Sequence, residues 1–92
     1  MQDQDTATFT MGDIIFDAVT MNEAAVSGNL DESRLRARRI AALAASDGLN
    51  GIAEAALFLG RLLGPDGSVP VPGYGSAMVE VSRQIDLAFG EG

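Results

Sequence analysis

Residues 49–63 read LNGIAEAALFLGRLL, and this stretch decides the fold of the chain. At 3.6 residues per turn, its apolar side chains fill one stripe of a helix and much of the opposite side. The stripe consists of Leu49, Ile52, Ala53, Ala56, Leu59, Gly60 and Leu63. The opposite side holds Ala55, Phe58 and Leu62, beside a narrow polar strip of Asn50, Glu54 and Arg61. A helix that is apolar nearly all round is buried on several sides or covered by a partner, so the stretch predicts a central or interface helix.

The length and charge of the chain limit its class. Ninety-two residues make one domain with a modest core. Thirteen acidic residues face 6 arginines, and the net charge is −7. Direct binding to nucleic acid or to an anionic membrane requires a basic surface, so we expect neither. An acidic surface suits solubility, or a partner protein with a basic surface.

The side chains that usually carry catalysis near neutral pH are missing. The chain has no histidine, cysteine or lysine, which removes the common general bases, nucleophiles and zinc ligands. Asp13 and Asp17 are four residues apart, but their predicted position is the solvent face of a helix. The glycines after Leu63 lack the Gly-Lys-Ser/Thr ending of a phosphate-binding loop. We therefore expect no enzyme activity, no cofactor and no metal site.

Capping and turn residues predict an all-α fold, a compact four-helix bundle whose first and fourth helices flank the third. The predicted helices span about 10–27, 30–47, 49–63 and 76–89. Thr10 with Asp13 resembles a capping box, as does Asn29 with Glu32. Residues 64–75 are rich in glycine and proline and predict one long loop between helices three and four. Residues 1–9 are expected to form a flexible N-terminal arm, and residues 10–92 a single helical domain.

Four of the six arginines lie in the second helix, in the run SRLRARR at residues 33–39. The spacings of Asp31–Arg34 and Glu32–Arg36 are those of favourable ion pairs. Two helices joined by a short corner suggest a DNA-reading motif, but the second of them carries one arginine and a row of leucines and cannot read base edges. A salt-bridged surface is the preferred interpretation, with contact to an acidic partner as the alternative.

Several apolar residues fall outside the apolar stripes of their helices. They are Phe16, Phe58, Leu62, Val79 and Leu87. If they converge, they form an interface patch. Two alternatives stay open: the helix phases differ from those predicted, or the 64–75 loop covers the residues through Val69, Val71 and Tyr74. In the first helix, Asn22 falls in the middle of the apolar stripe, which includes Ile14, Ile15, Ala18, Val19, Met21 and Val26.

These features favour a non-enzymatic cytoplasmic protein that acts through protein–protein contact, of the bacterial regulator or inhibitor type exemplified by antitoxins and immunity proteins. A homodimer through the third helix would use the same apolar residues. One alternative is an acidic mimic of nucleic acid that inhibits a basic nucleic-acid-binding protein through a surface of Asp13, Asp17 and Glu23. A second alternative is a carrier of a small apolar ligand, bound between helices near Asn22, although a hydrogen-bonded core amide is the preferred interpretation of Asn22.

Overall fold

A computed structural model describes the backbone of residues 2–90 and the side chains of residues 10–90. Within that range the chain forms four α-helices and no strand. They are α1 (Gln2–Val26), α2 (Leu30–Ser46), α3 (Asn50–Leu63) and α4 (Tyr74–Ile85), and a π-helical turn, Asp86–Gly90, follows α4. The all-α prediction is confirmed.

The helix ends agree with prediction for α2 and α3 and differ for the outer helices. Helix α1 begins at Gln2 instead of Thr10, because no proline or glycine interrupts the sequence before Gly12. The sequence predicts a flexible arm at residues 1–9. Met1 and the side chains of residues 2–9 lie outside the described residues, so the flexibility of this arm stays a prediction. Helix α4 begins at Tyr74, two residues before Ser76, after a glycine cap at Gly73 with a φ of 101°.

The connection between α3 and α4 is residues 64–73, a short segment of turns instead of the predicted long loop. The Ser68 N–H donates to the Pro65 carbonyl at 3.1 Å, and the Val71 N–H donates to the Leu62 carbonyl at 2.7 Å. The segment therefore folds back on the last turn of α3.

Helices that are neighbours in the chain are neighbours in space and run antiparallel. On α1 and α2, Asp17 pairs with Arg36 and Arg39, while the Ser33 hydroxyl donates to the Met21 carbonyl. The first turn of α3 lies against the last turns of α4, where a Cβ at Gly51 would require the end of the Gln84 side chain to move. Helix α1 therefore packs on α2, and the prediction that it flanks α3 is wrong. Helices α1 and α4 touch only slightly.

The core lies along the facing sides of the four helices and confirms the apolar stripe of α3. Its fully buried large side chains are Ile14, Met21, Ile40, Ile52, Leu59, Leu63 and Val81. Alanines fill the helix contacts between them, among them Ala37, Ala44 and Ala56. Small residues let the helix axes approach closely, and the radius of gyration is 12.8 Å, as expected for a compact chain of this length.

The buried guanidinium of Arg34 joins α2 to the end of α3. Its Nε and Nη2 donate to the Leu63 carbonyl at 3.1 and 2.8 Å, and Nη2 donates to the Ser68 carbonyl at 2.7 Å. Its Nη1 donates to Asp31 at 2.6 Å, and Asp31 also accepts from the Gly67 N–H at 3.1 Å. Arg34 thus satisfies carbonyls that the helix end leaves without partners, and it fixes the following turn.

We predict that Arg34→Met destabilises the fold by about 2–4 kcal/mol, because it leaves buried carbonyls of the α3 end unpaired. Arg38→Met is the matched control, since Arg38 is exposed and lies 3.8 Å from Asp66. Its cost is expected to be below about 1 kcal/mol. Urea unfolding followed by circular dichroism measures both, and equal costs would contradict the role of Arg34.

A second prediction concerns acid stability. The Gly67 N–H and the Arg34 guanidinium hold the pKa of Asp31 below its usual 3.8. A carboxyl with a lower pKa in the folded state stabilises the fold above the unfolded-state value, and this contribution disappears as the pH falls through the folded-state value. Asp31→Asn should therefore be less stable than wild type at neutral pH, and the difference should shrink below pH 3.8. A difference in the free energy of unfolding that is constant with pH would refute this assignment.

Candidate functional site

Asp17 is buried, which corrects its assignment to an acidic surface. Its carboxylate accepts from Arg36 Nη1 at 2.8 Å and from Arg39 Nε at 3.1 Å, and its side chain is fully enclosed. Arg36 also pairs with Glu32 at 2.7 Å, and the hydrogen bonds that its guanidinium donates to Asp17 and Glu32 raise the pKa of that guanidinium. Asp17 lies on the side of α1 that faces α2, so its charge is neutralised inside the fold.

The predicted role of the α2 arginines as partners in salt bridges agrees with these contacts. Arg34 and Arg38 lie toward the turn after α3, whereas Arg36 and Arg39 lie toward α1. On α4, Arg83 pairs with Glu80 at 2.9 Å, which lowers the pKa of Glu80 and raises that of Arg83. Among residues 10–90, Arg61 is the one arginine without a carboxylate partner within 4.0 Å.

Unpaired charge on the described surface is therefore mostly acidic. Five exposed carboxylates of residues 10–90 take part in no ion pair, namely Asp13, Glu23, Asp47, Glu54 and Asp86. Asp13 and Glu23 are the two members of the predicted acidic surface that remain exposed. In the same range no group of three acidic side chains is arranged to hold a metal ion.

The five predicted interface residues lie next to different helices. Phe16 lies next to α2, with the Arg36 guanidinium 5.5 Å from its ring centroid. Leu87 lines a groove against the first turn of α3, and Val79 lines a groove against α1. Phe58 and Leu62 lie one turn apart on α3. Four of these residues are exposed and Leu62 is half-buried, and their role as an interface stays a prediction.

The segment after α3 is joined to one of these residues, Leu62, through a backbone hydrogen bond. Leu62 packs against the core, and its carbonyl accepts the hydrogen bond from Val71. Phe58 keeps 50% of its surface, and the side chains of Val69 and Val71 are themselves exposed. The alternative that this segment hides the apolar surface therefore does not hold for Phe58.

An apolar stripe that the sequence assigned to the core of α1 is exposed. Ile14, Ala18 and Met21 are buried, whereas Ile15, Val19 and Val26 keep 42%, 50% and 90% of their surface. The exposed residues follow one another at helical spacing, with Asn22 between Val19 and Val26. The apolar face of α1 is wider than α2 can cover, and α4, which touches α1 only slightly, leaves the rest exposed.

The C-terminal end of this stripe, at Asn22 and Val26, borders α4 across a groove of about 210 Å³, and Ile15 and Val19 continue the stripe along α1 beyond the groove. The groove is lined by Asn22, Ala25, Val26, Met78, Val79 and Ser82. A second depression of about 490 Å³, more open to solvent, shares Asn22 and Val26 with this groove and is also lined by Glu23 and Ser27. We call the surface formed by Ile15, Val19, Asn22, Val26 and Val79 the α1/α4 seam. Sequence reasoning named Val79 and missed the three α1 residues, although Asn22 in the apolar stripe was a sign that solvent reaches this side.

A groove of about 290 Å³ between α2 and α3 is a second concave surface. Ala37, Ala41, Ala56 and Gly60 form its floor, and Arg34, Arg38 and Arg61 lie along it. The N–H groups of Arg34 are already engaged with Leu63, Ser68 and Asp31. Leu57, which keeps 54% of its surface, lines it as well, so this groove differs from the α1/α4 seam in its arginines and not in a lack of apolar surface.

Comparison with known protein families, with curated proteins and with solved structures finds no match for this chain. None of the described helices combines the length and the apolar character that crossing a bilayer requires.

The exposure of the seam predicts unequal costs for substitutions on the two sides of α1. Val26→Ser should change the free energy of unfolding by less than about 0.5 kcal/mol, because its side chain is almost fully exposed. Met21→Ala, on the buried side, should cost about 2–5 kcal/mol. Chemical denaturation measures both. A large cost at Val26 would show that the seam is closed in solution.

Proposed function

We propose that this protein is a non-enzymatic interaction module that regulates or inhibits another protein by binding to it. The observation that supports the proposal is the α1/α4 seam, where apolar side chains on two helices border one groove. Single exposed apolar residues are ordinary on protein surfaces, but contiguous ones are typical of binding sites. The proposal assumes a bacterial cytoplasmic setting and a role of the antitoxin or immunity type.

Burial of the seam would supply a useful part of the binding free energy. Full burial of a valine or isoleucine side chain contributes about 1.5–3 kcal/mol relative to full exposure. Ile15, Val19 and Val79 are about half to two-thirds exposed, and Val26 is almost fully exposed. Together these residues would contribute several kcal/mol, of which part is offset by the entropy lost on association.

Enzyme activity is the weaker alternative on chemical grounds. The chain has no histidine, cysteine or lysine, and the buried carboxylate of Asp17 is engaged by two arginines. The buried hydroxyl of Ser33 donates to the Met21 carbonyl at 2.8 Å. These polar groups serve the packing of α1 on α2.

A carrier of a small apolar ligand is a second candidate, because Asn22 does line a groove between helices. The volume of that groove, about 210 Å³, lies below the range of about 300–1,000 Å³ that is usual for small-molecule sites, whereas the adjoining depression of about 490 Å³ lies within that range. The groove is also continuous with an open depression, which suits a macromolecular partner better than an enclosed ligand.

A homodimer and an acidic mimic of nucleic acid are the remaining versions of the proposal. A homodimer through α3 would use Phe58, which is half exposed, and Leu62 beside it. The mimic would use Asp13 and Glu23 without Asp17, since Asp17 is buried, so its row of charges is shorter than the sequence suggested. Both versions still act through protein contact.

Capture from the native host, with mass spectrometry of the bound protein, tests the proposal. Wild type should retain a partner that Ile15→Ser loses. Leu35→Ser is the matched control, because Leu35 on α2 is exposed to the same 42% as Ile15. Leu35→Ser should retain the partner. Phe58→Asp tests whether the contact is instead made through Phe58 and Leu62 on α3. If wild type binds no partner in host extract and remains monomeric by light scattering, the proposed function is wrong.

A further inference from the structure

We infer that the α1/α4 seam receives an amphipathic helix of a different protein, one whose apolar stripe is flanked by lysine or arginine. This inference rests on the proposed function and specifies the chemistry of the partner. Three observations support it. They are the acidic charges around the seam, the position of the groove between two helices, and the shortage of unpaired cations that a second copy of this chain could bring to the seam.

The described parts of the two helices that form the seam are strongly acidic. Residues 10–26 and 74–90 contain five carboxylates and one arginine. Arg83 is engaged by Glu80 through contacts at 2.9 and 3.0 Å, and Asp17 is engaged by α2. Glu23, without an ion pair in the described chain, borders the depression beside Asn22 and Val26. Asp86 lies one turn beyond Ser82, which lines the groove.

An apolar groove with an acidic rim attracts a partner that carries the opposite charge beside its own apolar residues. A second copy of this chain does not meet that requirement. It has no lysine, and among residues 10–90 Arg61 is its one arginine without a carboxylate partner. Its own seam would bring Glu23 and Asp86 against the same acids, which opposes association.

The groove lies between α1 and α4 beside Asn22 and Val26, and the exposed stripe continues from it along α1, which suits a helix laid along α1. The exposed stripe from Ile15 to Val26 extends over 11 residue steps, about 17 Å or three helical turns. A partner helix would bury apolar residues at positions i, i+3 or i+4, and i+7 against this stripe. In the described chain the Asn22 amide has no hydrogen-bond partner of its own, and a polar group at the matching position of the partner would fix the register.

Synthetic peptides of defined composition test the inference by fluorescence anisotropy with the full chain. The probe is an amphipathic leucine–lysine peptide of about five helical turns, long enough to span the stripe. Its charge reversal, leucine–glutamate, and a serine–lysine peptide without the apolar stripe are the comparisons. The leucine–lysine peptide should bind tightest, by roughly tenfold or more over each comparison, with an affinity that falls as salt is added.

Variants of the protein locate the binding to the seam. Ile15→Ser and Val79→Ser should each weaken binding by roughly tenfold, and Leu35→Ser should leave it within about twofold. Glu23→Gln should weaken binding and reduce its salt dependence, whereas Glu54→Gln, an exposed and unpaired acid on α3, should not. Equal effects of Glu23→Gln and Glu54→Gln would show attraction to net charge alone, and would overturn the inference.

Two further outcomes separate this inference from the proposed function. If wild type is a dimer and Ile15→Ser a monomer by light scattering, a second copy occupies the seam, so the inference is wrong while the function by protein contact stands. If no basic peptide binds but a host protein is captured by wild type and lost by Ile15→Ser, the partner is of another chemistry and again only the inference fails.

Discussion

The burial of Asp17 is the constraint that sets the position of α1. A carboxylate enclosed by protein is unfavourable unless cations neutralise it, and the cations come from Arg36 and Arg39 of α2. Helix α1 must therefore lie on α2, rotated so that Asp17 faces the two arginines. The buried bond from Ser33 to the Met21 carbonyl, one turn further along, fixes the same rotation.

Helix α2 consequently holds the structure together from both of its sides. Toward α1 it presents Arg36 and Arg39, and toward α3 it presents Arg34, whose guanidinium bonds to the carbonyls of Leu63 and Ser68. Helix α4 has no comparable buried polar contact with α1 among the described residues, and it packs on α3 through apolar side chains. The array is therefore tightly joined from α1 to α3 and open between α1 and α4.

This opening connects the fold to the proposed function. The rotation that buries Asp17 and Met21 turns Ile15, Val19 and Val26 toward the side where only α4 could cover them. Since α1 and α4 touch only slightly, these residues stay exposed. The same arrangement pairs Arg34, Arg36 and Arg39 with carboxylates away from the exposed stripe, so the surface beside the stripe keeps its acidic charge.

Much of the architecture could be predicted from residues that act locally. The caps at Asn29 and the stops at Gly48 and Gly64 placed the ends of α2 and α3, because they act within one turn. The exposure of Phe58 and Val79 also followed from helical periodicity. The early start of α1 was missed because the absence of helix breakers does not by itself mark where a helix begins. The shortened connection to α4 was missed because the hydrogen bond from the Val71 N–H to the Leu62 carbonyl has no signature in the sequence.

The sequence by itself determined the all-helical class, the buried stripe of α3 and the acidic character of the surface, since composition and the 3.6-residue period decide these features. Only the tertiary structure decided that Asp17 is internal and that half of the apolar face of α1 is external. Asp17 and its arginines are 19 and 22 residues apart in the chain, and the apolar period of α1 is the same whether or not a neighbouring helix covers it. Burial of these residues depends on which helix packs beside them, and that choice is made by contacts between distant residues.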